Sequence, residues 1–322
     1  MYQNIKSQLV APGRFELTED TIEYLPDDKI LVRNHCLGVC QGTEVWPWRG
    51  MDCDTGKDVT YPLLLGHQNA GEVVAVGRNV SGISVGARVA GLGVGGYQTY
   101  SLCDPGQCTH VPDDVSDEDA TQALELASIV KEVDAAGIRT QDKVAIIGAG
   151  PMGNLLMQIV KLRCPQQIIV SDLDASRLPY ASRMGADHVI DASREDQIER
   201  VTELTAEGAT VVFEATSSVE CLKLAIQMLR PESKLVVFGT HPEPISIRAD
   251  VFKRKSCTVC FAFPLGPKEW VFYAERGMDL LRQGAVRITP LITHRFKLDQ
   301  MNDAFDLIEN RSSGVMKIIV VP

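Results

Sequence analysis

Lys143-Val144-Ala145-Ile146-Ile147-Gly148-Ala149-Gly150-Pro151-Met152-Gly153 is the stretch that decides the fold. Strand-forming residues run straight into G-x-G-x-x-G. The glycines then open a segment whose apolar residues, Leu155, Leu156, Ile159, Val160 and Leu162, are spaced as on one helix face. The pattern predicts a strand, a tight turn and a helix. Gly148 permits the turn, Gly150 lets a pyrophosphate approach the backbone, and Gly153 lets helix and strand pack closely. Pro151 and Met152 begin the helix whose positive N-terminus faces the phosphates. A glycine turn alone carries little weight. Here a second strand, Ile168-Ile169-Val170, follows, and Asp172 stands 19 residues past Gly153, where a carboxylate accepts the adenosine ribose hydroxyls. Arg177 lies one helical turn further on. NAD is expected over NADP, because a 2'-phosphate beside Asp172 meets like charge.

Outward from this stretch the chain has two textures. Residues 1–120 hold short β-prone runs broken by Gly, Pro and Asp, among them residues 29–33, 71–77, 87–90 and 97–100, which predict a compact, mostly antiparallel β domain. From about Asp119 the pattern changes to a helix over 120–136 and then to strand–helix alternation, the signature of a parallel sheet. Further strands are expected at 188–190, 211–214, 235–238 and 258–261, with helices near 175–184, 195–206 and 218–229 between them. Six strands make a complete doubly wound domain. Thr216, just after the strand at 211–214, joins the cofactor-facing set. The last segment, with helices near 270–283 and 299–309 and a strand at 317–321, is expected to return to the first domain. The fold class is therefore α/β, with residues 1–120 and 264–322 in one domain and 121–263 in the other.

The composition narrows the function classes. A net charge of -10 lacks the clustered Lys and Arg that neutralising nucleic-acid phosphates requires. No apolar run approaches the roughly 20 residues that span a bilayer, and the polar start Met1-Tyr2-Gln3-Asn4-Ile5-Lys6 is no signal peptide. Nine scattered cysteines suit free thiols in a reducing compartment. The expectation is a cytoplasmic protein with a small-molecule substrate and no membrane or nucleic-acid partner.

Taken together, the motifs resemble the medium-chain dehydrogenase/reductase superfamily over nearly the whole chain. The residues that carry the resemblance are Gly42-Thr43-Glu44, Leu65-Gly66-His67-Gln68-Asn69-Ala70-Gly71-Glu72-Val73-Val74, Gly86-Ala87-Arg88-Val89, the Gly148 turn and the run from Met184 to Ile190. It implies a GroES-like catalytic domain formed by both chain ends, a Rossmann domain between them, and a homodimer or homotetramer. Where zinc enzymes of the family carry a lobe of four cysteines, this chain has Ala90 to Gly96, so no structural zinc is expected. Cys103, Cys108, Cys257 and Cys260 then read as packing residues, the last two inside a predicted strand.

The catalytic metal is less direct. By resemblance to polyol dehydrogenases, one zinc is held by Cys40, His67 and Glu125. His67 and Glu125 stand in the expected columns, but Cys40 is one residue early, Gln41 fills its column, and Gln68 replaces the usual Glu. The pattern Gly38-x-x-x-Gly42-Thr43-Glu44-x-x-x-x-Arg49-Gly50 is similar to that of a branch resembling bacteriochlorophyllide dehydrogenases, whose members often lack the cysteine. With zinc, the resemblance has Thr43 pass the hydroxyl proton towards the cofactor ribose and makes Glu44 the partner that orients His67; without zinc, Thr43 and protonated His67 are the candidate electrophiles. The leading expectation is an NAD-dependent dehydrogenase of a polyol, sugar or cyclitol-like secondary alcohol. The alternatives are a zinc-free ketone or enone reductase of the quinone type and a non-enzymatic nucleotide-binding protein.

Overall fold

The computed structural model describes all residues except Asp54, Val94, Pro242, Glu243, Arg311 and Ser312. Val94 belongs to the run that replaces the cysteine lobe and lies outside the described residues. Two compact units form, one from Met1–Ser128 with Pro264–Pro322 and the other from Ile129–Phe263.

The first unit opens with a hairpin of β1 (Tyr2–Ala11) and β2 (Arg14–Ile22). Its main sheet takes β3 (Ile30–Gly38), β4 (Gln68–Val76), β5 (Arg88–Leu92), β6 (Tyr100–Cys103) and β7 (Cys108–His110) from the first chain segment. A short helix, α1 (Gln41–Trp48), leaves the end of β3, and α2 (Asp117–Ala120) and α3 (Ala123–Ala136) follow β7. The helix expected over 120–136 is thus broken at Thr121 and Gln122. Its longer part, α3, contains the division between the units, which sequence reading put at 121.

The second unit is built on the quoted stretch. Its strands are β8 (Lys143–Ile147), β9 (Gln167–Asp172), β10 (His188–Asp191), β11 (Ala209–Glu214), β12 (Leu229–Val237) and β13 (Thr258–Cys260). The helices between them are α4 (Pro151–Lys161), α5 (Leu178–Met184), α6 (Gln197–Thr205), α7 (Val219–Met228) and α8 (Ala249–Lys255). All six strands are parallel in the order β10-β9-β8-β11-β12-β13, so the strand order reverses at β8, where a doubly wound sheet opens its ligand crevice. The strands are buried on both faces and hence near-continuously apolar, as in Val144 to Ile147 and Ile168 to Val170. Cys257 falls just before β13 rather than within it, because the left-handed Ser256 ends α8 and the strand starts only at Thr258.

The chain then completes the first unit with α9 (Pro267–Arg282), β14 (Ile292–Lys297), α10 (Met301–Glu309) and β15 (Lys317–Val321). The sheet order is β14-β15-β3-β4-β5-β7, with β6 also on β3. In β15, Ile319 and Val320 pair antiparallel with Gly38 and Leu37. Beneath lies an aromatic core in which Phe15 stacks on Trp48 at 5.6 Å between ring centroids, beside Tyr97 and Phe305. Trp48 is thus a core residue. Cys103 and Cys108 are buried in a separate cluster with Ile30, Val32, Val73 and Val89.

Candidate active site

In the second unit the glycine turn is held by steric necessity. Gly148 has φ +105°, and a Cβ there would lie 2.9 Å from Thr216 Cγ2 and 3.0 Å from the Ala215 carbonyl. A Cβ on Gly153 would stand 1.9 Å from the Gly148 carbonyl oxygen, so only glycine lets the first turn of α4 close over the loop. Gly150 is the N-cap of α4 and Pro151 its first residue, where a missing N–H costs nothing. A Cβ on Gly150 would meet only Arg177 Nη1, at 3.6 Å.

Asp172 ends β9 and ties the turn down. Its Oδ2 accepts the Ala149 N–H at 2.7 Å and its Oδ1 the Asp174 N–H at 2.8 Å, leaving one lone pair on each oxygen for further donors. Arg177, at the N-cap of α5, places Nη1 3.8 Å from Asp172 Oδ2 and Nε 3.5 Å from Asp174 Oδ2. Thr216 packs its methyl group against the turn and donates its N–H to Glu214 Oε1 at 2.6 Å. Glu214 is fully buried, and its Oε2 stands 3.0 Å from His241 Nε2. Sequence reading missed this Glu214–His241 pair. The only hint in the sequence is an acid ending an apolar strand, a strand end that faces the crevice.

The first unit gathers a second group. Among the described residues, Cys40, His67 and Glu125 bring one ligand atom each within 4.8 Å of one another. The one-residue displacement of Cys40 is resolved at the start of α1. Cys40 is the extended N-cap, outside the helix, and Gln41 turns its side chain away to donate to the Met316 carbonyl. Glu44 reaches back from the first turn, and its Oε2 accepts the Cys40 N–H at 3.0 Å, satisfying a donor that the helix leaves unpaired. The same oxygen accepts from the hydroxyl of Tyr97, which is fully buried. Glu44 Oε1 stands 2.8 Å from His67 Nδ1, which leaves Nε2 as the nitrogen available to an ion.

Electrostatics bind this group together. Burial pushes the Cys40 thiol up, but the hydrogen bond and charge of His67 outweigh it and hold the thiol below its ordinary value. Burial works against the His67 cation, yet Glu44 and Cys40 push its pKa up to about 12. Burial raises Glu125, partly offset by Lys317 and His67. Thr43 Oγ1 and Glu125 Oε2 are both buried without a hydrogen-bond partner. An orphaned carboxylate oxygen beside a thiol of lowered pKa and an oriented imidazole is a donor set suited to zinc. Bonds of about 2.0–2.3 Å require donors about 3.3–3.8 Å apart, so small side-chain adjustments would close the group on an ion.

Two family models match the chain. Residues 151–273 match a zinc-binding dehydrogenase model, and residues 26–113 match the alcohol dehydrogenase GroES-like domain. The chain belongs to the medium-chain dehydrogenase/reductase superfamily. Similar chains include a sorbitol dehydrogenase from Bombyx mori, 25% identical over 99% of each chain, and a D-arabitol-phosphate dehydrogenase from Enterococcus avium, 26% identical over 92% of each. A zinc-binding dehydrogenase from Sinorhizobium meliloti, solved with NADP bound, superposes with a TM-score of 0.88 at 26% identity over all of both chains. This dehydrogenase/reductase is accordingly an oxidoreductase acting on alcohols, which sets aside the non-enzymatic alternative. No helix among its described residues is long and apolar enough to cross a membrane.

Proposed function

We propose that the protein oxidises a secondary alcohol of a polyol, sugar or cyclitol-like metabolite with NAD, and that it uses one zinc ion held by Cys40, His67 and Glu125. The observation that carries this reading is the convergence of those three ligand atoms within 4.8 Å, with Glu125 Oε2 buried and unpartnered. Bound there, zinc supplies a Lewis acid that lowers the cost of alkoxide formation.

The chain's own residues do the rest. Glu44 fixes the ring of His67 through Nδ1, and Tyr97 and the Cys40 N–H hold Glu44 in turn. Thr43 Oγ1, buried and free of partners, takes up the substrate hydroxyl proton and passes it on. In the second unit the Gly148 turn, Pro151, Met152 and the start of α4 receive the pyrophosphate, and Thr216 and Arg177 flank it. Asp172 accepts the ribose hydroxyls with its remaining lone pairs and repels a 2'-phosphate. The polyol-type relatives support the substrate class. The edge strand β13, followed by the exposed Phe261 and Phe263, supports a homodimer or dimer of dimers, and a monomer mass in light scattering would remove that part.

Metal analysis of the purified protein tests the site, together with a polyol and ketone screen followed at the nicotinamide absorbance. About one zinc per chain, loss of turnover on chelation and recovery with zinc are expected. Full turnover in protein with less than about a tenth of a zinc per chain would transfer alkoxide stabilisation to Thr43 and His67, as in the zinc-free alternative.

A further inference from the structure

Behind Glu125 lies a buried polar group that no step above uses. Gln68 Nε2 donates to Glu125 Oε1. The Gln68 carbonyl oxygen accepts from Lys317 Nζ at 2.6 Å and from Gln122 Nε2 at 3.1 Å. Lys317 Nζ also donates to the Val39 carbonyl at 2.9 Å, one residue before Cys40. Gln68, Gln122 and Lys317 are each at most 4% exposed.

The chemistry permits only one orientation of the Gln68 amide. An ammonium has donors and no acceptor, so with Lys317 and a second N–H on one side the carbonyl oxygen must face them and the NH2 must face Glu125. The head group also sits in a slot shaped for it. A Cβ on Gly38 would lie 2.3 Å from Gln68 Oε1 and 3.0 Å from Gln122 Nε2. One carboxylate oxygen of Glu125 is therefore occupied, and the other, Oε2, is buried and unpartnered.

We propose that Gln68, oriented by Lys317 and Gln122, is a positioning residue that holds Glu125 as a one-oxygen ligand by occupying Oε1 and presenting Oε2 to the metal. This rests on the zinc reading given above. A glutamate at position 68 could not do this, because an ionised carboxylate has no proton to donate and would add a second negative charge beside Glu125.

Zinc affinity of the full-length protein, measured by competition with a chromophoric chelator, tests the proposal, with the visible spectrum of the cobalt(II)-loaded protein as a second readout. Gln68→Met keeps the volume and removes both donor and acceptor. It should weaken zinc by about 10–100-fold and shift the cobalt bands, because Glu125 is freed to offer both oxygens. Gly38→Ala leaves Gln68 chemically intact but crowds its slot, and should move both readouts the same way. Wild-type affinity and an unchanged cobalt spectrum in folded Gln68→Met and Gly38→Ala would overturn the proposal while leaving the zinc site standing. A wild-type protein that takes up no zinc would overturn the zinc reading and the proposal together.

Discussion

The glycine turn of the second unit is made within six residues of backbone, from Gly148 to Gly153, and its shape follows from which positions lack a Cβ. The Cys40–His67–Glu125 group has no such local origin. Its members and supports come from the start of α1, the approach to β4, the first turn of α3 and the beginning of β15, and Lys317 is separated from Gln68 by 249 residues of chain. One site is written in consecutive residues, whereas the other exists only once a sheet has brought distant segments together. The first should resist side-chain changes that leave the backbone alone, and the second should be sensitive to single side chains.

The sharpest break between the two comes from Cys40→Ser and His67→Ala. Each should remove the metal and lower kcat/KM by at least about 1,000-fold, the size expected when several kcal/mol of charge stabilisation is lost. Binding of NAD, followed by nicotinamide fluorescence, should stay within about twofold of wild type. Cofactor binding lost together with the metal would contradict the separation. The reverse experiment is Gly153→Ala, whose Cβ would collide with the Gly148 carbonyl at 1.9 Å. Overpacking of this kind costs about 1–3 kcal/mol or more, so NAD binding and thermal stability should fall while zinc content in the folded fraction holds.

Asp172→Ala removes the ribose acceptor together with the carboxylate that holds the Ala149 N–H of the turn, so the informative readout is the ratio between cofactors, in which a loss common to both cancels. The ratio of kcat/KM for NAD to that for NADP should fall by about 10–100-fold, on the order of one or two lost hydrogen bonds to a charged group. Equal use of both cofactors by the wild type would remove the assignment, since Arg177 would then have cancelled the charge of Asp172. The smallest effect concerns Glu132, buried in α3 and raised by desolvation from 4.5 to about 8. The folded chain keeps this proton to higher pH than the unfolded chain, so its contribution to stability is full below about 4.5 and is lost as pH rises through about 8. Glu132→Gln should flatten that decline in Tm, and an identical pH profile in the variant would show that Glu132 is ionised in the fold.

How much was legible in the sequence follows the same division. The parallel strands and the residues of the glycine turn could be read because apolar runs and glycine spacing are local signals. Helix α1 was not read, since Gly42, Thr43 and Pro47 within eight residues carry no helical signature, and its formation depends on Glu44 reaching back to Cys40. The β1–β2 hairpin was also missed, because its alternation of charged and apolar residues is diluted by exposure of most of β2. Tyr97, Gln122 and Lys317 gave no warning of their place beside the cluster. Each is an ordinary residue of its own segment, and only the pairing of β15 with β3 and of β3 with β4 brings Lys317 to Gln68.

The late position of β15 also sets an order of events during synthesis. Residues 129–263 form a unit closed within themselves, so the nucleotide turn can be complete while the ribosome is still adding the C-terminal segment. Lys317, which pins both Gln68 and the carbonyl before Cys40, emerges only after that unit and α10. A nascent chain therefore passes through a period in which residues 129–263 can be folded while Gln68 and the Val39 carbonyl still lack the Lys317 ammonium.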